Sequence, residues 1–122
     1  MTTIQLTVPA DAIFVGLVRS TAAHTAAHAN LDMDQIDDLR LAVDEAFALV
    51  IGTDGVVGDV SLTFTITAAG LDVALTGPSG VQAPEQGTFA WTILSALVND
   101  VVSHVTDGQV TITLSSKAGA SA

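Results

Sequence analysis

Four segments of the chain alternate apolar and polar residues with a period of two, and this pattern constrains the fold more than any other feature. Such alternation is typical of β-strands with one buried face. The other face carries mainly Thr, Ser and Gln and is expected to contact solvent. The connection at 68–70 is short enough to predict a hairpin between the second and third strands. The apolar positions are Ile4, Leu6, Val8; Val60, Leu62, Phe64, Ile66; Leu71, Val73, Leu75; and Val110, Ile112, Leu114.

Three segments have helical periodicity, at about 11–29, 32–51 and 89–102. The second has Asp32 as a predicted N-cap, Gln35 completing a capping box, and Gly52 as its stop. The element order predicts a two-layer α/β (α+β) sandwich with three helices on one face of a mainly antiparallel, mixed sheet. The predicted inward residues are Phe14, Leu17, Val18, Thr21; Ile36, Leu39, Val43, Phe47, Val50; and Ala90, Ile93, Leu94, Leu97, Val101.

Composition excludes several classes of function. The net charge of −10 opposes binding to nucleic acid, so a role in transcription would have to act through another protein. The absence of cysteine excludes disulfides and thiolate chemistry. With no apolar run of about 18 residues and no secretory signal, we expect a cytoplasmic protein without membrane contact. We expect one domain over 1–115 and a flexible tail over 116–122. The loop at 76–87 is either a lid or an ordinary connection.

Residues 36–46, IDDLRLAVDEA, resemble the second-helix signature of anti-sigma factors of the RsbW and SpoIIAB type, which are serine-protein kinases of the GHKL ATPase superfamily. Arg19 matches the first-helix arginine of this family, and the element order agrees along most of the chain. The resemblance implies the GHKL (histidine-kinase-like ATPase) fold. The sequence is most similar to actinobacterial members whose ATP-binding motifs are degenerate.

The family's second helix carries Glu-x-x-x-Asn, in which Glu acts on the attacking hydroxyl and Asn helps to hold magnesium. Residues four apart share a helical face, which explains the spacing. Here Glu45 is present, but Leu49 stands at the asparagine position and cannot bind a hard cation. Glu45 is therefore interpreted as an inactive catalytic remnant.

Two further ATP-binding motifs of the family are incomplete. The motif Asp-x-Gly-x-Gly leaves Gly77 and Gly80 but lacks the aspartate that would receive the adenine amino group. A later Gly-x-Gly reads Gly87-Thr88-Phe89, and a phenylalanine side chain would obstruct phosphate approach to the backbone. Because the metal, adenine and phosphate contacts are all impaired, we expect weak or absent binding of ATP-Mg and no kinase activity.

Other polar residues have competing interpretations. In the family, the position of Arg19 contacts both the sigma factor and the anti-anti-sigma protein; the alternative is a solvated residue or a partner for a nearby carboxylate. Arg40 is predicted to pair with Asp37 or Asp44 on its own helix. His24 and His28 have metal-ligand spacing, but no third ligand is identifiable and we expect no metal site.

The resemblance implies an anti-sigma factor that sequesters an alternative, stress-type sigma factor and is released by an anti-anti-sigma protein of the STAS type, independently of ATP. One alternative is an active serine-protein kinase that phosphorylates the anti-anti-sigma protein. Another is an interaction module with a different partner. Family members often dimerise, and a sheet edge or Trp91 could supply a homodimer contact.

Overall fold

The computed structural model describes residues 1–52, 57–78 and 87–119. Five strands form one sheet in the order β1-β2-β3-β5-β4, and every neighbouring pair is antiparallel. The strands are β1 (Thr2–Pro9), β2 (Asp59–Thr67), β3 (Gly70–Gly77), β4 (Asp100–Thr106) and β5 (Gln109–Lys117). The helices are α1 (Val15–His28), which follows a 3-10 turn at Ala12–Phe14, α2 (Met33–Ile51) and α3 (Phe89–Leu97). The predicted α+β sandwich is confirmed, although the described sheet is antiparallel rather than mixed.

The period-two alternation places one face of the sheet in the core. Val60, Leu62 and Phe64 of β2 are at most 1% exposed, and they lie beside Leu75 and Val73 of β3 in the antiparallel register. The intervening threonines are half-buried on the opposite face, where the hydroxyls of Thr76 and Thr111 are 2.8 Å apart across β3 and β5. The described helices therefore cover one face of the sheet.

Helix α2 is the central helix of the second layer, and its predicted ends are confirmed. The Asp32 carboxylate accepts a hydrogen bond from the Gln35 backbone N–H at 2.8 Å, and the Gln35 side chain accepts one from the Asp32 N–H at 3.1 Å. This reciprocal box satisfies two N–H groups that the helix cannot pair internally. At the other end Gly52 is the C-cap with a φ of +76°.

Helix α1 only partly buries the face predicted for it: Val18 is fully buried and Phe14, just before the helix, packs against the core, as predicted. Its fully buried residues are small or β-branched, namely Val18, Ala22, Thr25 and Ala26. Leu17, predicted to face inward, is 51% exposed. The buried row of α1 is therefore formed mainly by small side chains rather than by the larger leucine.

The region after α3 corrects a second prediction. The expected helix over 89–102 ends at Leu97, and Val101 belongs to strand β4. Strands β4 and β5 are joined by Asp107 and Gly108, which have φ values of +52° and +77°. Asp-Gly at the centre of a two-residue hairpin favours these positive φ angles. This dipeptide is the signal from which β4 could have been predicted.

The C-terminal boundary also shifts. Ser116 and Lys117, predicted to begin a flexible tail, belong to β5, and Ser116 is 5% exposed. The Lys117 carbonyl accepts a hydrogen bond from the Gln35 side chain at 2.7 Å, which ties the end of the sheet to the start of α2. Within the described ranges no helix is both long enough and apolar enough to cross a membrane.

Candidate functional site

Arg19 lies on the flank of α1 that faces α2. Its Nε donates a hydrogen bond to Oδ1 of Asp44 at 2.8 Å, and the two side chains are 37% and 31% exposed. Val18, which precedes Arg19, and Ala22, which follows it by three positions, are fully buried. The backbone that carries the arginine is therefore fixed by packing. Arg19 is therefore a partly exposed guanidinium held in one orientation. Pairing with a nearby carboxylate is one of the alternatives to partner contact that the sequence leaves open for Arg19, and the structure contains it.

The Arg19–Asp44 pair borders a cleft between α1 and α2. The cleft has a volume of about 430 Å³ and is lined by Arg19, Asp37, Arg40, Leu41 and Asp44. Each of the four α2 residues lies three or four positions from two of the others. They therefore form one stripe of the helix. Arg40 pairs with Asp37, as predicted, with Nη1 3.8 Å from Oδ1. That separation is too long for a hydrogen bond.

Glu45 and Leu49 lie four residues apart on α2, beside the stripe that lines the cleft. Glu45 follows the cleft residue Leu41 by four positions and is turned by about 100° from Asp44. Both Glu45 and Leu49 are half-buried, and Leu49 packs against the core. Asp38, on the same flank, lines a second depression of about 220 Å³ beside the C-terminal end of α3. Glu45 is thus not one of the residues that line the arginine cleft, although it adjoins Leu41, which is.

Of the three candidate nucleotide-binding glycines, Gly77 and Gly87 lie within the described residues. A Cβ added at Gly77 would lie 2.4 Å from the Val50 carbonyl oxygen, so glycine is required there because β3 passes close to the C-terminal turn of α2. Gly77 consequently has a packing role that needs no nucleotide. Gly87 has a φ of +90°, and a Cβ added there would meet no described group within 4 Å beyond its chain neighbours. Gly80 lies outside the described residues.

The N-terminus of α3 is capped by the protein itself. The Thr88 hydroxyl accepts a hydrogen bond from the Trp91 backbone N–H at 3.2 Å. This N–H is one of those that a phosphate at a helix N-terminus would use. Phe89, the first residue of the helix, is 81% exposed, whereas Trp91 is half-buried. Thr88 and Phe89 are the last two residues of the segment that corresponds to the Gly-x-Gly motif. Their side chains therefore lie where that motif would leave the backbone accessible.

His24 and His28 are exposed neighbours on α1, with ring centroids 5.0 Å apart. Across the described ranges no group of three or more His, Asp or Glu side chains converges to hold a metal ion. The pair supplies at most two ligands from the described part of this chain.

The sequence does not predict the contact that Asp44 makes with Arg19 in this site. From the sequence, Asp44 is considered only as a partner for Arg40, but it binds Arg19, 25 residues earlier in the chain. Its place within the second-helix signature, next to Glu45, is the one available signal. The pairing itself depends on the packing of α1 against α2, which no local pattern encodes.

Comparison with known proteins gives a relative in sequence and a clear neighbour in structure. No family model matches the chain. It is 28% identical to the serine-protein kinase RsbW of Bacillus pumilus in an alignment of 82 residues, which covers 63% of this chain and 51% of the relative. The chain therefore spans about half the length of that relative.

A solved structure has the same fold. The crystal structure of the RsbU and RsbW domains of Rv1364c from Mycobacterium tuberculosis superposes with a TM-score of 0.74 at 17% sequence identity. The match covers 95% of this chain and 32% of that chain. At this level of identity the likeness concerns the fold, and it extends over nearly the whole chain.

Proposed function

We propose, from its similarity in sequence to the serine-protein kinase RsbW and in fold to a structure that contains an RsbW domain, that this chain is an anti-sigma factor that sequesters an alternative, stress-type sigma factor by direct binding. The binding is independent of ATP. The sigma factor is released when an anti-anti-sigma protein of the STAS type competes for an overlapping surface. A sequestered sigma factor cannot bind RNA polymerase. An acidic protein can therefore regulate transcription in this way without contacting DNA.

The observation that carries this proposal is the state of Arg19. It is partly exposed, lies at the rim of a cleft, and is oriented by Asp44. Arginine has five N–H donors, and the hydrogen bond to Asp44 uses one of them. The terminal guanidinium nitrogens can therefore donate to a second carboxylate without loss of the first contact. Since the side chain is already ordered, less side-chain entropy is lost when a partner binds there.

Independence from ATP is supported by the flank of α2 that carries Glu45. Leu49 offers no oxygen ligand for magnesium and packs against the core. The Thr88 hydroxyl engages an N–H at the start of α3, and Gly77 is explained by its contact with Val50. An active kinase would need metal, adenine and phosphate contacts from these same positions. We therefore propose that the activity of the chain is partner binding rather than phosphoryl transfer.

A displacement experiment tests this function. The purified protein is loaded with a purified alternative sigma factor of the host, and a STAS-type protein encoded by the same host is titrated in without nucleotide. We expect stoichiometric release of the sigma factor, measured by size-exclusion chromatography with light scattering. A stable ternary complex would contradict the overlapping surface. Release only after phosphate transfer to a serine of the STAS protein would establish the kinase alternative instead.

A further inference from the structure

Two of the three histidines of the chain lie one helical turn apart on α1. His24 and His28 are both exposed, and their ring centroids are 5.0 Å apart. Residues four apart on an α-helix share a face, so the backbone of α1 fixes the spacing of the two imidazoles. Within the described ranges neither side chain has a hydrogen-bond or ion-pair partner. The ring nitrogens are therefore available to a ligand from solvent.

The separation of the two rings suits a shared metal ion. An imidazole nitrogen binds Zn²⁺ at about 2.0–2.1 Å, and protein sites for this ion are tetrahedral. Because the centre of each ring lies about 1 Å beyond its bound nitrogen, two imidazoles on one tetrahedral ion have their centroids roughly 5 Å apart. The observed separation of 5.0 Å matches this value. One ion can thus bridge His24 and His28 by rotation of the side chains, without movement of the helix.

The surroundings of the pair favour a cation. His28 is the last residue of α1, and the C-terminal end of a helix carries a partial negative charge. The net charge of −10 on the whole chain attracts positive ions. Arg19 is the only Lys, Arg, Asp or Glu residue of α1, and its charge is offset by the ion pair with Asp44. The electrostatic setting therefore supports the same conclusion as the ring geometry.

From these observations we propose that His24 and His28 form a surface site for one divalent transition-metal ion of the Zn²⁺, Ni²⁺ or Cu²⁺ class, which imidazole binds in preference to Mg²⁺. Each ring donates one nitrogen lone pair. No third His, Asp or Glu of the described ranges converges on the pair, so water fills the other coordination positions. The sequence predicts no metal site because it offers no third ligand, but two ligands are already in place on one helix. Binding of the ion does not depend on the proposed anti-sigma function.

The test uses the purified protein alone, with Zn²⁺ as the probe, in calorimetric titrations. His24→Gln and His28→Gln each remove one ligand, and His104→Gln is the matched control because the third histidine is exposed on β4. We expect the parent to bind one Zn²⁺ per chain with a sub-millimolar dissociation constant. Either ligand variant should weaken binding by at least about tenfold, because it removes one of two protein ligands. The control should stay within about twofold of the parent, and Mg²⁺ should give no binding heat.

Thermal unfolding provides a second readout. Zn²⁺ at about ten times its dissociation constant should raise the unfolding midpoint of the parent by roughly 5 °C, and should leave that of His24→Gln unchanged. A parent that does not bind Zn²⁺, or a His24→Gln variant that binds it equally well, would overturn the inference. Equal weakening by His104→Gln would do the same. A stoichiometry of one ion per two chains would contradict a site formed by one chain. Circular dichroism confirms that each variant is folded.

Discussion

Arg19 of α1 and Asp44 of α2 are joined by a 2.8 Å hydrogen bond between Nε and Oδ1, although 25 residues separate them in the chain. The pair lies at the rim of the cleft and links two of the helices that cover the sheet. The pair therefore belongs to the proposed binding surface, whereas Glu45, the next residue along α2, is not one of the residues that line the cleft.

The first prediction separates the binding role of Arg19 from its pairing role. Arg19→Ala should weaken sigma-factor binding by at least about tenfold, because it removes the guanidinium at the centre of the proposed contact. The free energy of unfolding should fall by no more than about 1 kcal/mol, since the ion pair is partly exposed. Calorimetric titration and urea unfolding give the two quantities.

Asp44→Ala is the matched control, because it breaks the same ion pair and retains the guanidinium. It should cost similar stability but weaken binding by no more than about threefold, through the loss of side-chain order. If the two variants lost affinity equally, Arg19 would act through the packing of α1 on α2 rather than by touching the partner.

The second prediction concerns nucleotide. The parent protein should give no calorimetric signal for Mg-ATP in the micromolar range. Leu49→Asn restores the amide four residues after Glu45 but restores neither the adenine nor the phosphate contacts, so it too should not bind. Because Leu49 is half-buried against the core, the asparagine should also lower the free energy of unfolding by about 1–3 kcal/mol.

Circular dichroism establishes that Leu49→Asn is folded before it is titrated. Micromolar affinity in this variant alone would mean that the lost magnesium ligand was the single defect. Micromolar affinity in the parent would show that the degenerate motifs still suffice.

The third prediction tests the structural explanation of Gly77. Gly77→Ala places a Cβ 2.4 Å from the Val50 carbonyl oxygen, which is backbone and cannot rotate away. We expect a loss of about 1–3 kcal/mol in the free energy of unfolding. Gly16→Ala is the control, because a Cβ added there meets no described atom within 4 Å and its helical site favours alanine by about 0.5–1 kcal/mol.

Urea unfolding of both glycine variants decides the point. A Gly77→Ala variant as stable as the parent would show that β3 and α2 separate easily. The case for a packing role, rather than a nucleotide role, would then fail.

The alternating strands and the start of α2 can be predicted because their sequence signals are local. Strand alternation depends on neighbours two residues apart, and the Asp32–Gln35 capping box lies within four residues, so both are evident in the sequence. Helix α1 is harder to predict, since the buried Ala22 and Ala26 are less hydrophobic than Leu17, which is exposed. Strand β4 escapes prediction because its valines also fit a continuing helix when the Asp107-Gly108 turn is overlooked.

The candidate site shows the same division. Arg19 and Glu45 are identified through the family resemblance, and Arg40 is correctly paired with Asp37 one turn earlier on its own helix. The Arg19–Asp44 pair and the shared cleft depend on how two helices meet, which is a non-local property. The packing role of Gly77 likewise depends on a contact with Val50 of α2, and it cannot be predicted from the glycine motif.

The most direct test of the account is capture of purified alternative sigma factors of the host by the purified protein, with and without Mg-ATP. We predict stoichiometric capture of one sigma factor in both conditions, with dissociation constants that agree within about twofold. Capture that requires Mg-ATP would contradict the nucleotide-independent mechanism and would favour the serine-protein kinase alternative. Capture of no sigma factor in either condition would contradict the anti-sigma function itself.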